Sequence, residues 1–272
     1  MNNLYPIKNG SKVILMIFLV GISILGSSQP LNLLNSSINV VVIDAGHGGK
    51  DPGCYGKTKI KEKKVALDIA LKLGKLIEEN LPDVKVIYTR KEDKFVDLWK
   101  RAAIANRNDA DLFISVHCNA HTDAALHGSE TYVMGLHKSH SNLAVSKREN
   151  DALKLEMNYK KSGRYKDFDP HSPEAHIILS LYQNAFLEHS IDLASNVQRS
   201  VKKRGSVADL GVKQAGFVVL WKTTMPSILV ETGYLTNSQN EKYLTSEKGK
   251  VESAGNIFEA IKEFKYSVER NK

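Results

Sequence analysis

Apolar positions along the chain change their spacing from one segment to the next, and that alternation predicts an α/β architecture. Short runs that are β-branched or wholly apolar fall at Asn39 to Asp44, Val84 to Thr89, Asp111 to His117, Glu130 to Met134, Gly216 to Trp221 and Ser227 to Glu231, and predict strands. Between them the spacing lengthens to that of a helix. Ala66, Ile69, Leu73, Leu76 and Ile77 form one stripe of a helix beginning near Glu62. A second helix covers about Val96 to Asn108, and Asn240 to Leu244 with Lys250 to Phe264 predict closing helices before a frayed Lys-rich tail. Ser172 and Pro173 open another helical pattern, carried by Ile178, Tyr182, Phe186, Leu193, Val197 and Val201 and ended by Gly205. Strands alternating with helices predict a single α/β domain over 38–266, with a mostly parallel or mixed twisted sheet of about six strands flanked by helices.

Two segments break the pattern. Lys8 and Lys12 precede a 13-residue apolar run, Val13 to Leu25, followed by Gly26-Ser27-Ser28. A charged start, a short apolar run and a small-residue end make a secretory signal, and 13 residues fall short of the roughly 20 that span a bilayer. Residues 1–28 are therefore expected to be a signal peptide, which gives a periplasmic or secreted protein with no stable membrane anchor after cleavage. No cysteine follows the run to carry a lipid. The second break is 137–173, polar and mixed in charge, with Lys160-Lys161-Ser162-Gly163-Arg164 and Asp169-Pro170-His171-Ser172-Pro173. It is expected to be a helical insertion on the domain surface.

Composition changes this picture little. At 42% hydrophobic and 25% charged, the 272 residues are ordinary for a globular chain. The net charge of +8 falls to +6 without Lys8 and Lys12, and the basic residues are dispersed, so nucleic acid is not an expected partner. The two cysteines, Cys54 and Cys118, are too few for a disulfide scaffold. Each lies near a histidine in sequence, so zinc ligation and simple packing both remain open for them, as does a disulfide.

The chemistry-bearing residues gather at the ends of elements. His47 ends the first strand in Ala45-Gly46-His47-Gly48-Gly49, and His117 ends the apolar run DLFISVH. The carboxyl edge of a sheet is where α/β proteins keep their chemistry. A histidine in a glycine-rich loop is equally a hydrogen-bonding turn residue, but two at strand ends match the donors that zinc takes. Glu62 shares the inward stripe of Ala66, Ile69 and Leu73, and is either a first-turn acid favoured by the helix dipole or a ligand aimed at the core. Glu231 ends the wholly apolar strand of PSILVETG, where either a salt-bridge partner or a role as general base explains it. Asn119 and Asp44 are secondary candidates for positioning substrate or a ligand.

Together VVIDAGHGGKDPG, EKKVALDIA, RAAIANRNDADLFISVHCNA and PSILVETGYLTN resemble the zinc-dependent N-acetylmuramoyl-L-alanine amidases that act in bacterial cell separation. The resemblance runs from about Val40 to Leu244 in the family's order. It implies one zinc ion per chain held by His47, Glu62 and His117, with Glu231 as catalytic acid/base and peptidoglycan as substrate. The bond cut would join the lactyl carbonyl of N-acetylmuramic acid to the nitrogen of L-alanine. Some members carry a helical segment that covers the zinc cleft until an activator protein removes it, and Ser146 to Asn158 occupies the matching place. Glu149, or else Glu156, is the carboxylate expected to reach the metal; the bland alternative is a solvated helix. A zinc peptidase cutting within the stem peptide would use the same site. A noncatalytic wall-binding module would lack one of His47, Glu62, His117 or Glu231, and none is missing.

Overall fold

A computed structural model describes residues 37–157 and 186–270 of the chain. Six strands are ordered β2-β1-β3-β6-β4-β5: β1 (Val40–Ala45), β2 (Lys85–Tyr88), β3 (Leu112–Asn119), β4 (Ser129–Met134), β5 (Asp209–Ala215) and β6 (Ser227–Tyr234). The first four in that spatial order run parallel, β4 pairs antiparallel with β6, and β5 is parallel to β4. The sheet is thus mixed, as expected.

Both faces are covered, which is why β3 and β6 are apolar runs buried along their whole length. Even-numbered Ile114, Val116, Ile228 and Val230 join Val41 and Ile43 against α1 (Glu62–Asn80), α4 (Leu187–Arg204) and α7 (Glu247–Arg270). The alternate residues Val42, Phe113, Leu229 and Tyr132 face α2 (Leu98–Arg107) and the short α5 (Val218–Trp221). α6 (Ser238–Thr245) completes the closing pair expected from the sequence. α7 runs on to Arg270, where fraying had been expected.

One strand lies elsewhere than the pattern predicts. Val218–Trp221, within the expected Gly216 to Trp221 strand, is a turn of helix, and the edge strand is Asp209–Ala215. A short apolar run carries no period that tells strand from helix, and an edge strand that is half exposed has little apolar signal to offer.

The expected insertion is described as far as Met157. It opens with α3 (His140–Asn150), which starts six residues before the expected Ser146, and continues as a 3-10 turn over Asp151–Leu155. α3 buries Asn142, Val145, Ser146, Glu149 and Asn150. The residues read as a signal peptide, the remainder of the expected insertion and the expected helix start at Ser172 lie outside the described residues. Gly205 ends α4 in the left-handed conformation, φ 68°, which glycine adopts without a Cβ clash.

Because α1 runs back against the parallel strands, its first residue, Glu62, lies at the carboxyl edge of the sheet. Register pairs His117 with Glu231 on adjacent strands, and Ser115, His117 and Asn119 alternate onto the face shared with Glu231. The fold therefore delivers β1, β3, β6 and the start of α1 to one place.

A candidate metal centre and the helix that covers it

The chain leaves β1 through Gly46 and enters the left-handed region at His47, φ 59°. Such a backbone costs a residue with a side chain of order 1 kcal/mol or more, so its surroundings must impose it. Two buried arginines do so. Arg90 donates to the carbonyls of Ala45 (2.9 Å) and Gly46 (2.6 Å). Arg101 donates to the carbonyls of Ala45 (2.8 Å) and His47 (2.8 Å) and to Asp44 Oδ1 (2.7 Å). Asp44 also accepts from Thr89 and Ser115, so it anchors the turn and binds neither histidine through these contacts. Gly46 is needed for a different reason: a Cβ there would lie 2.4 Å from the His117 ring.

Four side chains converge. His47 Nε2 is 3.0 Å from Glu62 Oε1 and 3.1 Å from Glu149 Oε2, and His117 Nδ1 is 3.1 and 3.0 Å from the same two oxygens. One ligand atom from each of His47, Glu62, His117 and Glu149 lies within 4.8 Å of the others, and all four residues are buried. His47 Nε2 and Glu149 Oε2 make no hydrogen bond among the described residues, although both are shut off from water. Lone pairs aimed at a common centre rather than at each other are what a metal ion satisfies, so this cluster could hold one.

The supporting contacts fix each ligand. His47 Nδ1 is 2.8 Å from Asp51 Oδ2, which leaves Nε2 to face the centre. Glu62 accepts from the backbone N–H of Cys54 on Oε2 (2.8 Å) and of Cys118 on Oε1 (3.0 Å). Burial disfavours a charged imidazole, yet the Glu62 and Glu149 carboxylates hold His47 well above the usual histidine range and push His117 up to about 9. Burial likewise raises a carboxylate, but the two histidines hold Glu62 low, and His117 and Arg148 hold Glu149 well below its ordinary value.

Glu231 stands beside this cluster with no exposed surface. Burial and the nearby Glu149 carboxylate raise its pKa well above the usual range, against the pull of Arg148. Arg148 Nη2 is 3.4 Å from Glu231 Oε1, while its Nε donates to Glu149 Oε1 at 3.0 Å. α3 thus places a carboxylate in the ligand cluster and a guanidinium on Glu231 from consecutive residues. Asn150 fastens the end of that helix, donating to the Gly216 carbonyl (2.8 Å) and accepting from Val218 N (2.9 Å).

The structure brings together His47, Glu62, His117, Glu231 and Glu149. Glu156, the second candidate for reaching the centre, instead accepts the backbone N–H of Leu98 at the start of α2 (2.7 Å). A carboxylate at a helix start satisfies an otherwise orphan N–H, which is the competing use of that residue. Neither cysteine belongs to the four-residue cluster; both are free thiols, and Cys118 lies in the core beside Thr232. His121 lies on the loop after β3, with Nδ1 accepting from Asp123 N. Asp51, Arg90, Arg101 and Arg148 were missed as functional residues. The four-residue spacing from His47 to Asp51 was a signal for the first; for the arginines, whose partners are mostly distant in sequence, there was none.

A family model described as N-acetylmuramoyl-L-alanine amidase matches residues 41–263. The amidase AmiC of Escherichia coli O6:H1 is 35% identical over 228 residues, 83% of this chain and 52% of its own length. AmiA of Escherichia coli K12 is 31% identical over 238 residues, 87% of this chain and 79% of its own. The chain thus spans about half of AmiC and most of AmiA. A crystal structure of the amidase from Clostridium difficile 630 superimposes with a TM-score of 0.60 at 28% identity, over 84% of this chain and 97% of that one.

Proposed function

Since the chain belongs to the N-acetylmuramoyl-L-alanine amidase family, we propose that it hydrolyses the amide between N-acetylmuramic acid and L-alanine of peptidoglycan, using one zinc ion held by His47, Glu62 and His117. The observation that carries this reading is the convergence of those three ligands beside a buried carboxylate, Glu231. Zinc fits the donor set. Imidazole nitrogen and carboxylate oxygen are its usual ligands, and one such atom from each of His47, Glu62, His117 and Glu149 lies within 4.8 Å of the others.

When bound, the ion supplies Lewis acidity, which acidifies water and polarises the scissile carbonyl. Glu231, buried in β6 and in register with His117, accepts the proton of the attacking water and returns it to the departing nitrogen. The C–N bond breaks, leaving a lactyl carboxylate on the sugar and a free amine on the stem peptide. Asp51 holds the His47 tautomer, and the Cys54 and Cys118 N–H groups hold Glu62 in place.

As the chain stands, Glu149 is the fourth member of the cluster and Arg148 lies against Glu231. We infer that the insertion, 137–173, is autoinhibitory and that a partner protein withdraws it. A leader at 1–28 would export the protein to the periplasm or beyond; among the described residues no helix is long and apolar enough to cross a membrane.

The test is mass analysis of purified muropeptides incubated with zinc-loaded Glu149→Ala protein. Free stem peptide with intact disaccharide is expected; shortened peptides still joined to sugar would overturn the amidase reading in favour of a peptidase. Deleting Lys147 to Asp167 is expected to raise hydrolysis without any partner, and an unchanged rate would overturn the autoinhibition.

A further inference from the structure

The contacts of Arg148 describe the surface it covers. Its Nη1 donates to the Ala120 carbonyl at 2.9 Å, and its Nη2 donates to Asn119 Oδ1 at 3.0 Å and faces Glu231 Oε1 at 3.4 Å. Three acceptors from the end of β3, the residue after it and the neighbouring strand β6 therefore converge on one donor group. Asn119 and Glu231 are themselves fully buried.

The orientation of Asn119 is fixed from behind. Its Nδ2 donates to Glu130 Oε1 at 2.6 Å, and Oδ1 also accepts Ala120 N at 2.8 Å. Reversing the amide would set its oxygen against the Glu130 carboxylate and its N–H groups against Ala120 N–H and the guanidinium. Glu130 cannot easily move, since it also accepts from Tyr132 OH at 2.7 Å and pairs with the Lys213 ammonium. Across the sheet it is registered opposite Glu231. Asn119 is thus committed to presenting an acceptor to the cleft, whether or not Arg148 is there.

Resting on the amidase reading above, we propose that Asn119 Oδ1, the Ala120 carbonyl and Glu231 Oε1 form the subsite for the amine side of the scissile amide, with Arg148 as an internal stand-in for substrate N–H donors. The subsite takes a peptide N–H before cleavage and the alanine ammonium after it. Glu130 is a positioning residue that acts through Asn119. A product carrying a free α-ammonium is then held more tightly than the same peptide with its amine blocked.

The experiment is calorimetric titration of the full chain carrying Arg148→Ala and Glu149→Ala, loaded with zinc, with L-alanyl-D-glutamate and its N-acetylated form. The free amine is expected to bind about 10- to 100-fold more tightly, the range for hydrogen bonds to a charged group. Adding Asn119→Ala should shrink that preference to within about threefold, and Glu130→Gln should reduce it in part. Equal binding of the two peptides would overturn the subsite. So would a preference that survives Asn119→Ala, since the amine would then be held by the metal. Should the double variant not fold, Arg148→Ala alone serves in the same titration. A variant that discriminates amines but releases no stem peptide from muropeptides would instead count against the amidase reading, so the two failures are distinguishable.

Discussion

His47 shows how much of a candidate metal centre is made by residues outside its four-residue cluster. Its backbone is bent into a left-handed turn, two buried guanidinium groups hold the carbonyls around it, and Asp51 sets which nitrogen faces inward. Removing the Asp51 contact leaves all the ligands in place while freeing the ring to turn. Asp51→Ala is expected to weaken zinc binding about 10- to 100-fold, as loss of such outer hydrogen bonds does, measured by competition with a chromogenic chelator. Unchanged affinity would mean that the strained turn alone orients the ring. Glu231→Gln separates chemistry from binding: it should keep zinc stoichiometry and lose at least about 100-fold in kcat. A rate near that of the parent protein would remove Glu231 from its role.

At the scale of elements, what was legible in the sequence depended on how much core each element touches. β1, β3 and β6 are central, so their apolar runs were unmistakable and carried His47, His117 and Glu231 to their ends. β5 is an edge strand with partly exposed residues, and the apolar VVLW that follows it is a turn of helix packed into the core; periodicity could not separate the two. α3 was legible as a helix only through the family resemblance, because its buried face is largely polar: Asn142, Ser146, Glu149 and Asn150 bury side chains that read as solvent-facing. Its grip is correspondingly adjustable. Ser139 caps the helix through Asn142 N, at 3.2 Å, and loss of a cap costs about 1 kcal/mol. Ser139→Ala is therefore expected to raise basal hydrolysis roughly fivefold by destabilising the closed helix. A basal rate equal to the parent's would mean that the cap contributes nothing to closure.

For the whole molecule, protons and a bound metal would compete for one buried centre, which ties stability to pH. In the metal-free chain the Glu62 and Glu149 carboxylates raise both histidines, His117 to about 9, whereas an unfolded histidine titrates near about 6.5. A group raised on folding stabilises the fold fully below its unfolded value and stops doing so as pH rises through its folded value. The Tm of chelator-treated protein is thus expected to fall between about pH 6.5 and about pH 9. The zinc-loaded protein should gain on it over the same interval, because metal binding releases those protons. Melts that stay parallel with and without chelator would contradict a shared centre.

Arg148 and Glu149 are neighbours on a single helical turn, and this has a consequence for signalling. A displacement of the helix carries both side chains together, so the cluster and Glu231 would be uncovered in one movement of α3 rather than in two. If the proposed autoinhibition holds, a pull on α3 would act as a threshold trigger, exposing the four-residue cluster and Glu231 together.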